Sequence, residues 1–451
     1  MELAGKHVMV IGLGVSGLAA ARFVAARGAT LVMTDTRSEL ARGAHADHGA
    51  APAAIPAGEL CLGGENPAWL AGVDLVVASP GVAPASVLMR AAAGAGIPII
   101  GELELAARFL SAPLVAITGT NGKSTVTVMV GEILKAAGMK TFAGGNLGTP
   151  LIEAAGHDYD VVVAEVSSYQ LETIVAFHPR VAVHLNLTDD HLDRYRGLAD
   201  YGRAKARIFM NQDSGDWAIL NRDDARVWKL APELHARVIG FGHAPTDERP
   251  ALWPQSDAII FDGGRGRKCT IELARFRLRG RHNIANAMAA AGAALALGVE
   301  ANAIERALGD FRGLPHRLEF VCEKNGVGFI DDSKGTNVGA VVEALAAVTG
   351  PVILLAGGVD KGGDYAPMRA ALKGRVKLLV LYGAARDKMR AALAGATAVA
   401  MAPTLAAAVK IAASSARRGD TVMLSPACSS FDQFRDYAER GRIYQELVRA
   451  L

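Results

Sequence analysis

Cysteine is scarce in this chain, four residues in 451, and Cys61, Cys269, Cys322 and Cys428 lie too far apart to form a C-x-x-C pair. That spacing excludes a zinc knot and gives no disulfide framework, so a reducing, cytoplasmic setting is expected. Neither sign of charge is in surplus: 48 Lys and Arg against 45 Asp and Glu leave a formal net charge of +3. Sequence-independent nucleic-acid binding needs a much larger basic excess, so no nucleic-acid partner is expected. No apolar run approaches bilayer-spanning length, and Met1-Glu2 leads into a short strand without a basic, cleavable opening, so no membrane partner is expected either. Aromatic residues are few, at 6%, but 51% of the chain is apolar, enough at this length for about three packed domains.

The strongest positive signal is Gly119-Thr120-Asn121-Gly122-Lys123-Ser124-Thr125. It follows the apolar run Leu114 to Ile117 and opens onto Val126, Met129, Val130 and Ile133 at helical spacing, so it reads as strand, phosphate loop, helix. Glycines let backbone N–H groups approach a polyphosphate, the helix N-terminus adds partial positive charge, and Lys123 neutralises phosphate oxygens. Ser124 would hold Mg²⁺. The loop is short, because the residue five before Gly122 is Ile117 rather than Gly.

Upstream, His7 to Ile11 ends in Gly12-Leu13-Gly14-Val15-Ser16-Gly17, followed by an Ala-rich helix and a strand ending near Asp35, a βαβ nucleotide-binding opening. Runs at Val73 to Ala78, before Ser79-Pro80-Gly81, and at Ile97 to Ile100 complete a small first unit. Beyond the phosphate loop, Val161 to Ala164 and Val181 to Leu187 read as strands, short β-like runs fill about 215 to 281, and a helix covers about Asn283 to Leu297. Gly313-Leu314-Pro315-His316-Arg317 reads as a linker. Strand-like runs at Gly328 to Ile330, Val352 to Leu355, Lys377 to Leu381 and Thr421 to Leu424 then alternate with Ala-rich helices. The expected fold is α/β in three domains: a Rossmann-like unit at 1–101, a central P-loop ATPase-like unit with a mainly parallel sheet at 102–313, and a second Rossmann-like unit at 314–451.

Candidate chemistry collects at strand ends. Glu165 ends one run and Thr188-Asp189-Asp190-His191 another, polar groups suited to a hard cation beside a phosphoryl group. Asp331-Asp332-Ser333-Lys334, Gly357-Gly358-Val359-Asp360-Lys361 and Ser425-Pro426-Ala427-Cys428-Ser429-Ser430 do the same in the third unit, where the cations would suit an anionic substrate. Arg275, Arg277, Arg279 and Arg281 alternate with apolar residues, the pattern of a charged, solvated edge strand. Lys205, on residue type alone, is a cation on a helix whose ordinary fate is solvation. These residues also fit a nicotinamide-dependent oxidoreductase, through GLGVSG and Asp35, or a nucleotide-binding regulator without turnover.

Taken together, GLGVSG, SPG, TGTNGKST, GGNLG, EVSSYQLE, DDHLDRY, GLPHR, DDSKGTN and SPACSSFDQF, spread over essentially the whole chain, resemble the Mur ligases. DDSKGTN and SPACSSFDQF are most similar to the D-glutamate-adding branch, and there is no D-N-P-R segment of the kind that marks diaminopimelate addition. A folate polyglutamate ligase, a more distant relative, would have no use for an N-terminal uridine domain. The resemblance implies an ATP-dependent ligase of peptidoglycan precursor synthesis, joining D-glutamate to UDP-N-acetylmuramoyl-L-alanine through an acyl phosphate, and a monomer is expected.

It also implies roles. Val15, Ser16, Asp35, Thr36 and Arg37 would hold the uridine, with Gly81 and Asn146 near the diphosphate and sugar; Val15 and Ser16 stand where familiar relatives have Leu and Thr. Gly119 to Thr125, Asn283, Asn286, Arg317 and Asp332 would form the ATP site, the two Asn facing the adenine. Lys123, Glu165, His191 and Lys205 would be catalytic, and Ser124, Glu165, His191 and a carbamylated Lys205 would hold Mg²⁺. Lys334, Thr336, Lys361, Ser430, Phe431 and Tyr437 would receive D-glutamate. Phe431 and Tyr437 stand where Leu and Phe are familiar, and one extra residue precedes Lys361.

Overall fold

A computed structural model describes residues 1–39, 55–190, 194–278 and 280–451. Three sheets form, each drawn from one uninterrupted stretch of chain. The first contains β1 (His7–Ile11), β2 (Thr30–Asp35), β3 (Glu59–Leu62), β4 (Leu75–Ala78) and β5 (Ile99–Gly101), all parallel, in the order β3-β2-β1-β4-β5. Strands flanked by helices on both faces read as continuous apolar runs, as Val8 to Ile11 and Leu75 to Ala78 do. The strand order reverses between β1 and β4, so Gly12 and the Ser79-Pro80-Gly81 loop meet there, with Ser79 Oγ donating to Gly12 O at 2.6 Å.

The central sheet has nine strands: β6 (Leu114–Thr118), β7 (Thr141–Gly145), β8 (Val161–Glu165), β9 (Val181–His184), β10 (Trp217–Asn221), β11 (Arg237–Phe241), β12 (Ala251–Gln255), β13 (Ala258–Asp262) and β14 (Lys268–Glu272). Their order is β14-β13-β12-β11-β10-β9-β6-β8-β7, parallel except for the antiparallel tail β12 to β14. The strand order switches at β6, which lies between β9 and β8, so the phosphate loop that follows β6 opens at the switch point, beside the C-terminal ends of both neighbours. Helices Lys123–Ala136 and Arg281–Ala296 cover one face, the second presenting a nearly all-alanine surface that lets it approach closely.

The arginine stripe is not a strand. The last β13 residue free to pair, Ala258, already faces Glu272, so beyond β14 the alternating residues have no neighbouring strand to bond. The chain instead turns, Phe276 N–H donating to Leu273 O at 2.8 Å; Arg275 pairs with Asp310, Arg281 opens a helix, and Arg279 lies outside the described residues.

The third sheet contains β15 (Glu319–Lys324), β16 (Val327–Asp331), β17 (Val352–Gly357), β18 (Val376–Tyr382), β19 (Ala398–Met401) and β20 (Thr421–Leu424), in the order β15-β16-β20-β17-β18-β19 with only β15 antiparallel. Among the described residues no helix is long and apolar enough to cross a membrane.

Between the first and central sheets runs the short helix Glu102–Ala107, whose two carboxylates are fully buried. Glu104 accepts backbone N–H groups of Val175, Ala176 and Phe177, each at 2.9 Å, and Arg108 Nε at 2.7 Å. Glu102 Oε1 accepts Ile152 N–H at 2.7 Å, while burial pushes its carboxyl up to about 7. A further tie comes from Arg194, ion-paired with Glu172 and donating to Val82 O at 3.2 Å in the first domain.

Candidate functional site

The phosphate loop is held open by its own chain and by one neighbour. Gly122 stands at φ +85°, and a Cβ there would lie 2.5 Å from Asn286 Oδ1, so only glycine fits. Asn186 Oδ1 accepts the backbone N–H of Thr120 at 3.1 Å and of Asn121 at 2.8 Å, and its amide donates back to Asn121 O at 3.0 Å. Lys123 Nζ lies over the loop, donating to Gly119 O at 3.0 Å and Thr120 O at 2.8 Å; burial lowers its pKa, against the pull of Glu165 and Asp190.

Glu165 ends β8 and is 2% exposed. One carboxylate oxygen accepts Asn146 Nδ2 at 2.7 Å, and the other, Oε2, is buried without a hydrogen-bond partner. Burial pushes this carboxyl up, but Lys123 and Lys334 pull it further down, so it stays ionised. An ionised carboxylate beside the Ser124 hydroxyl, which helps to hold its pKa down, has the oxygen chemistry that a hard divalent cation takes, so these residues fit Mg²⁺.

Lys205 is not a solvated side chain. Helix Leu198–Ala206 turns it inward to 1% exposure, its Nζ donating to Gly119 O at 2.8 Å and lying 4.6 Å from the centre of the Tyr201 ring. Burial, with the like charge of Lys123, drives its pKa well below the usual lysine value, and a neutral amine is the form that adds CO₂ to give a carbamate. The residue pattern of helix 198–206 does not signal this, because the acceptor of the Lys205 amine is a backbone carbonyl of the phosphate loop, 86 residues earlier.

The third domain closes over these groups. Arg317 Nη2 donates to Ser124 Oγ at 2.9 Å. Lys361 Nζ lies 3.5 Å from Asp190 Oδ1 and 3.4 Å from Thr336 Oγ1. Asp332 accepts Ser425 Oγ at 2.6 Å and is pushed up to about 7 by burial. Lys334 sits 3.6 Å from the centre of the Tyr437 ring and is pushed down to about 7 by burial and by Arg317. Ser430 is buried, whereas Phe431 is 72% exposed. A cleft of about 1500 Å³ between the two domains is lined by Asn121, Gly122, Asn283, Asn286, Arg317 and Lys334 among others. His191 lies outside the described residues.

The uridine candidates form a separate group outside that cleft's lining. Asp35 accepts Leu13 N–H at 2.8 Å and Arg37 through its Nη2 at 2.7 Å, its Nε at 2.8 Å and its backbone N–H at 3.0 Å, which hold its carboxyl down to about 2. Val15, Thr36 and Gly81 are exposed beside it, and Ser16 is partly so. Asn146 stands apart, on Glu165. Sequence reasoning missed Asn186, Asn337 and the Arg194–Glu172 pair; Asn337 lies within the DDSKGTN segment and was given no role.

Three family profiles match in chain order: "Mur ligase MurD-like, N-terminal domain" at residues 6–101, "Mur ligase middle domain" at 117–294 and "Mur ligase, glutamate ligase domain" at 316–428. The UDP-N-acetylmuramoylalanine–D-glutamate ligases of Syntrophotalea carbinolica and Geobacter metallireducens are each 46% identical, covering 100% of this chain and 99% of their own. In solved structures the fold recurs in the UDP-N-acetylmuramate–alanine ligase of Thermotoga maritima, with a TM-score of 0.60 at 19% identity and 99% of each chain covered. It recurs too in that organism's MurF ligase in complex with ADP, with a TM-score of 0.60 at 17% identity, covering 100% of this chain and 97% of the other. With its phosphate loop, its inward lysine and its third domain arranged as described, and with its full length matched at this identity, the chain belongs to the Mur ligase family.

Proposed function

We propose that this protein joins D-glutamate to UDP-N-acetylmuramoyl-L-alanine at the expense of ATP, a step of peptidoglycan precursor synthesis in the cytoplasm, acting as a monomer. The observation that carries the reading is a phosphate loop facing, across one cleft, a domain whose lysines Lys334 and Lys361 suit an acidic amino acid. We place the divisions at 1–101 for the UDP-substrate, 102–313 for ATP and 314–451 for the amino acid.

A free carboxylate is a poor acylating agent. The alanyl carboxylate oxygen therefore attacks the γ-phosphorus, ADP leaves, and an acyl phosphate results. Lys123 and the loop N–H groups stabilise the charge on the transferring group. The D-glutamate amine then attacks the acyl carbon, inorganic phosphate leaves, and the amine loses a proton as the amide forms. Ser124, Glu165, His191 and a carbamate on Lys205 would hold Mg²⁺, which would supply positive charge against the negative charge of the phosphates. Asn283 and Asn286 face the adenine; Arg317 and Asp332 complete the nucleotide site. Val15, Ser16, Asp35, Thr36 and Arg37 take the uridine, with Gly81 and Asn146 near the diphosphate and sugar. Lys334, Thr336, Lys361, Ser430, Phe431 and Tyr437 receive D-glutamate.

Phosphate release is to be measured with UDP-N-acetylmuramoyl-L-alanine, with and without D-glutamate. Turnover should need both, and Lys123→Ala should lower it about 10³-fold or more, roughly 4 kcal/mol. Turnover independent of D-glutamate, or a Lys123→Ala variant within tenfold of the parent, would defeat the reading. Lys205→Ala should be nearly inactive and partly rescued by acetate, which replaces the missing anion; full activity without additive would remove the carbamate.

A further inference from the structure

Asn337 caps the helix Val338–Ala347, its Oδ1 accepting Ala340 N–H at 2.8 Å. That bond fixes which end of the amide is which, so the NH₂ group points away from the helix. Both of its protons are used. Nδ2 donates to Asn121 Oδ1 of the phosphate loop at 3.1 Å and to Asp190 Oδ2, in the segment that follows β9, at 3.2 Å. Asn337 belongs to the third domain, both acceptors belong to the central one, and the side chain is 9% exposed.

Asn121 is itself pinned, its backbone N–H held by Asn186, so the bridge reports the position of the loop and not of a loose side chain. The next turn repeats the message. A Cβ on Gly339 would lie 3.3 Å from Asn121 Nδ2 and 3.3 Å from Thr188 Oγ1, so the helix start rests closely against the same two loops.

We propose that Asn337 is a positioning residue, a closure latch whose single NH₂ group sets the phosphate loop and the cation-side loop in register when the third domain docks. The inference rests on the ligase reading above, in which the two loops serve one transferring phosphoryl group. The latch would form on closure and break on opening, because every bond in it is made by a side chain and none by a strand or helix ladder.

The test separates the latch from the cap. Asp and Ser cap helices about as well as Asn, but neither offers an NH₂ group, and Asp sets a carboxylate against Asp190. Asn337→Asp should lower turnover about 10 to 100-fold, and Asn337→Ser less, with melting temperatures near the parent's and an unchanged KM for the UDP-substrate. Small-angle X-ray scattering with a non-hydrolysable ATP analogue should show a smaller closed fraction for Asn337→Asp and for Gly339→Ala. Pairing Asn337→Asp with Asp190→Asn, which returns an amide to the bridge, should restore closure in the scattering experiment. Parent-like turnover and closure in Asn337→Asp, with impairment only in Asn337→Ala, would reduce Asn337 to a helix cap and overturn the proposal. Because scattering reads closure without chemistry, failure of the ligase assay in the parent protein would leave the latch measurement standing on its own.

Discussion

The two joints of this molecule are built from different groups. Where the chain leaves the first sheet, the helix that runs on directly from β5 is anchored in the central domain by buried carboxylates that accept backbone N–H groups: Glu104 takes those of Val175, Ala176 and Phe177, and Glu102 that of Ile152. Between the central and third domains, the contacts are side chain to side chain: Arg317 to Ser124, Asn337 to Asn121 and Asp190, Lys361 to Asp190. A backbone N–H that loses its carboxylate acceptor leaves a fixed group of the main chain unpaired, whereas side chains on two domains that separate can exchange one another for water. The first joint is therefore a fixed seat and the second a contact that can be made and remade in each catalytic cycle.

If that contrast holds, damage to the first joint should appear in stability, and damage to the second in turnover or substrate constants. Glu104→Ala leaves three backbone N–H groups, that of Phe177 buried, and Arg108 without their acceptor and should cost about 3 to 5 kcal/mol in urea unfolding; a loss below 1 kcal/mol would mean the seat is not what anchors the helix. Lys361→Ala should raise the D-glutamate KM by about 10 to 100-fold, about 1.5 to 3 kcal/mol, and barely shift the urea midpoint. Were it to raise the KM for ATP instead, Lys334 would become the better carboxylate partner, and the extra residue before Lys361 would have misplaced it.

Glu102 makes the fixed seat sensitive to pH. Its folded pKa of about 7 lies above the usual 4.5, so the folded state keeps a proton that the unfolded chain releases. The stabilisation is complete below about 4.5, falls by up to about 1.4 kcal/mol per pH unit between the two values, and levels off above about 7. Glu102→Gln should flatten that slope in urea midpoints measured across the window; an identical slope would place the proton elsewhere. The smallest effect is expected at Ser430→Ala, about 0.5 to 1.5 kcal/mol on the D-glutamate KM, since only a neutral hydrogen bond is removed. A larger effect there than at Lys361 would invert the assignment of the amino-acid site.

Much of this arrangement is legible in the residues. The phosphate loop follows from glycines and a lysine between an apolar run and a helical period, and the three α/β units from strand-like runs of matching length. What escapes the sequence are interactions whose partner has no residue type to read. Glu104 looks like any charged residue of a short helix, because its acceptors' partners are backbone groups far along the chain. Lys205 looks solvated because the group its amine bonds, Gly119 O of the phosphate loop, lies far away in the sequence. The arginine stripe misleads for the opposite reason: its alternation is local and genuine, but a strand needs a neighbour, and β13 has already ended.

Each sheet is drawn from one uninterrupted stretch, and this has a consequence during synthesis on the ribosome. The first sheet is complete once β5 has emerged, before any of the central sheet exists, so the N-terminal unit can fold while the rest is still being made. Glu102 and Glu104 follow it directly, but Ile152 and the 175–177 segment arrive only later. Until then neither carboxylate has the backbone partners that bury it. The seat thus closes only after the first sheet is complete, and the third domain, emerging later still, finds a central sheet already made to dock against.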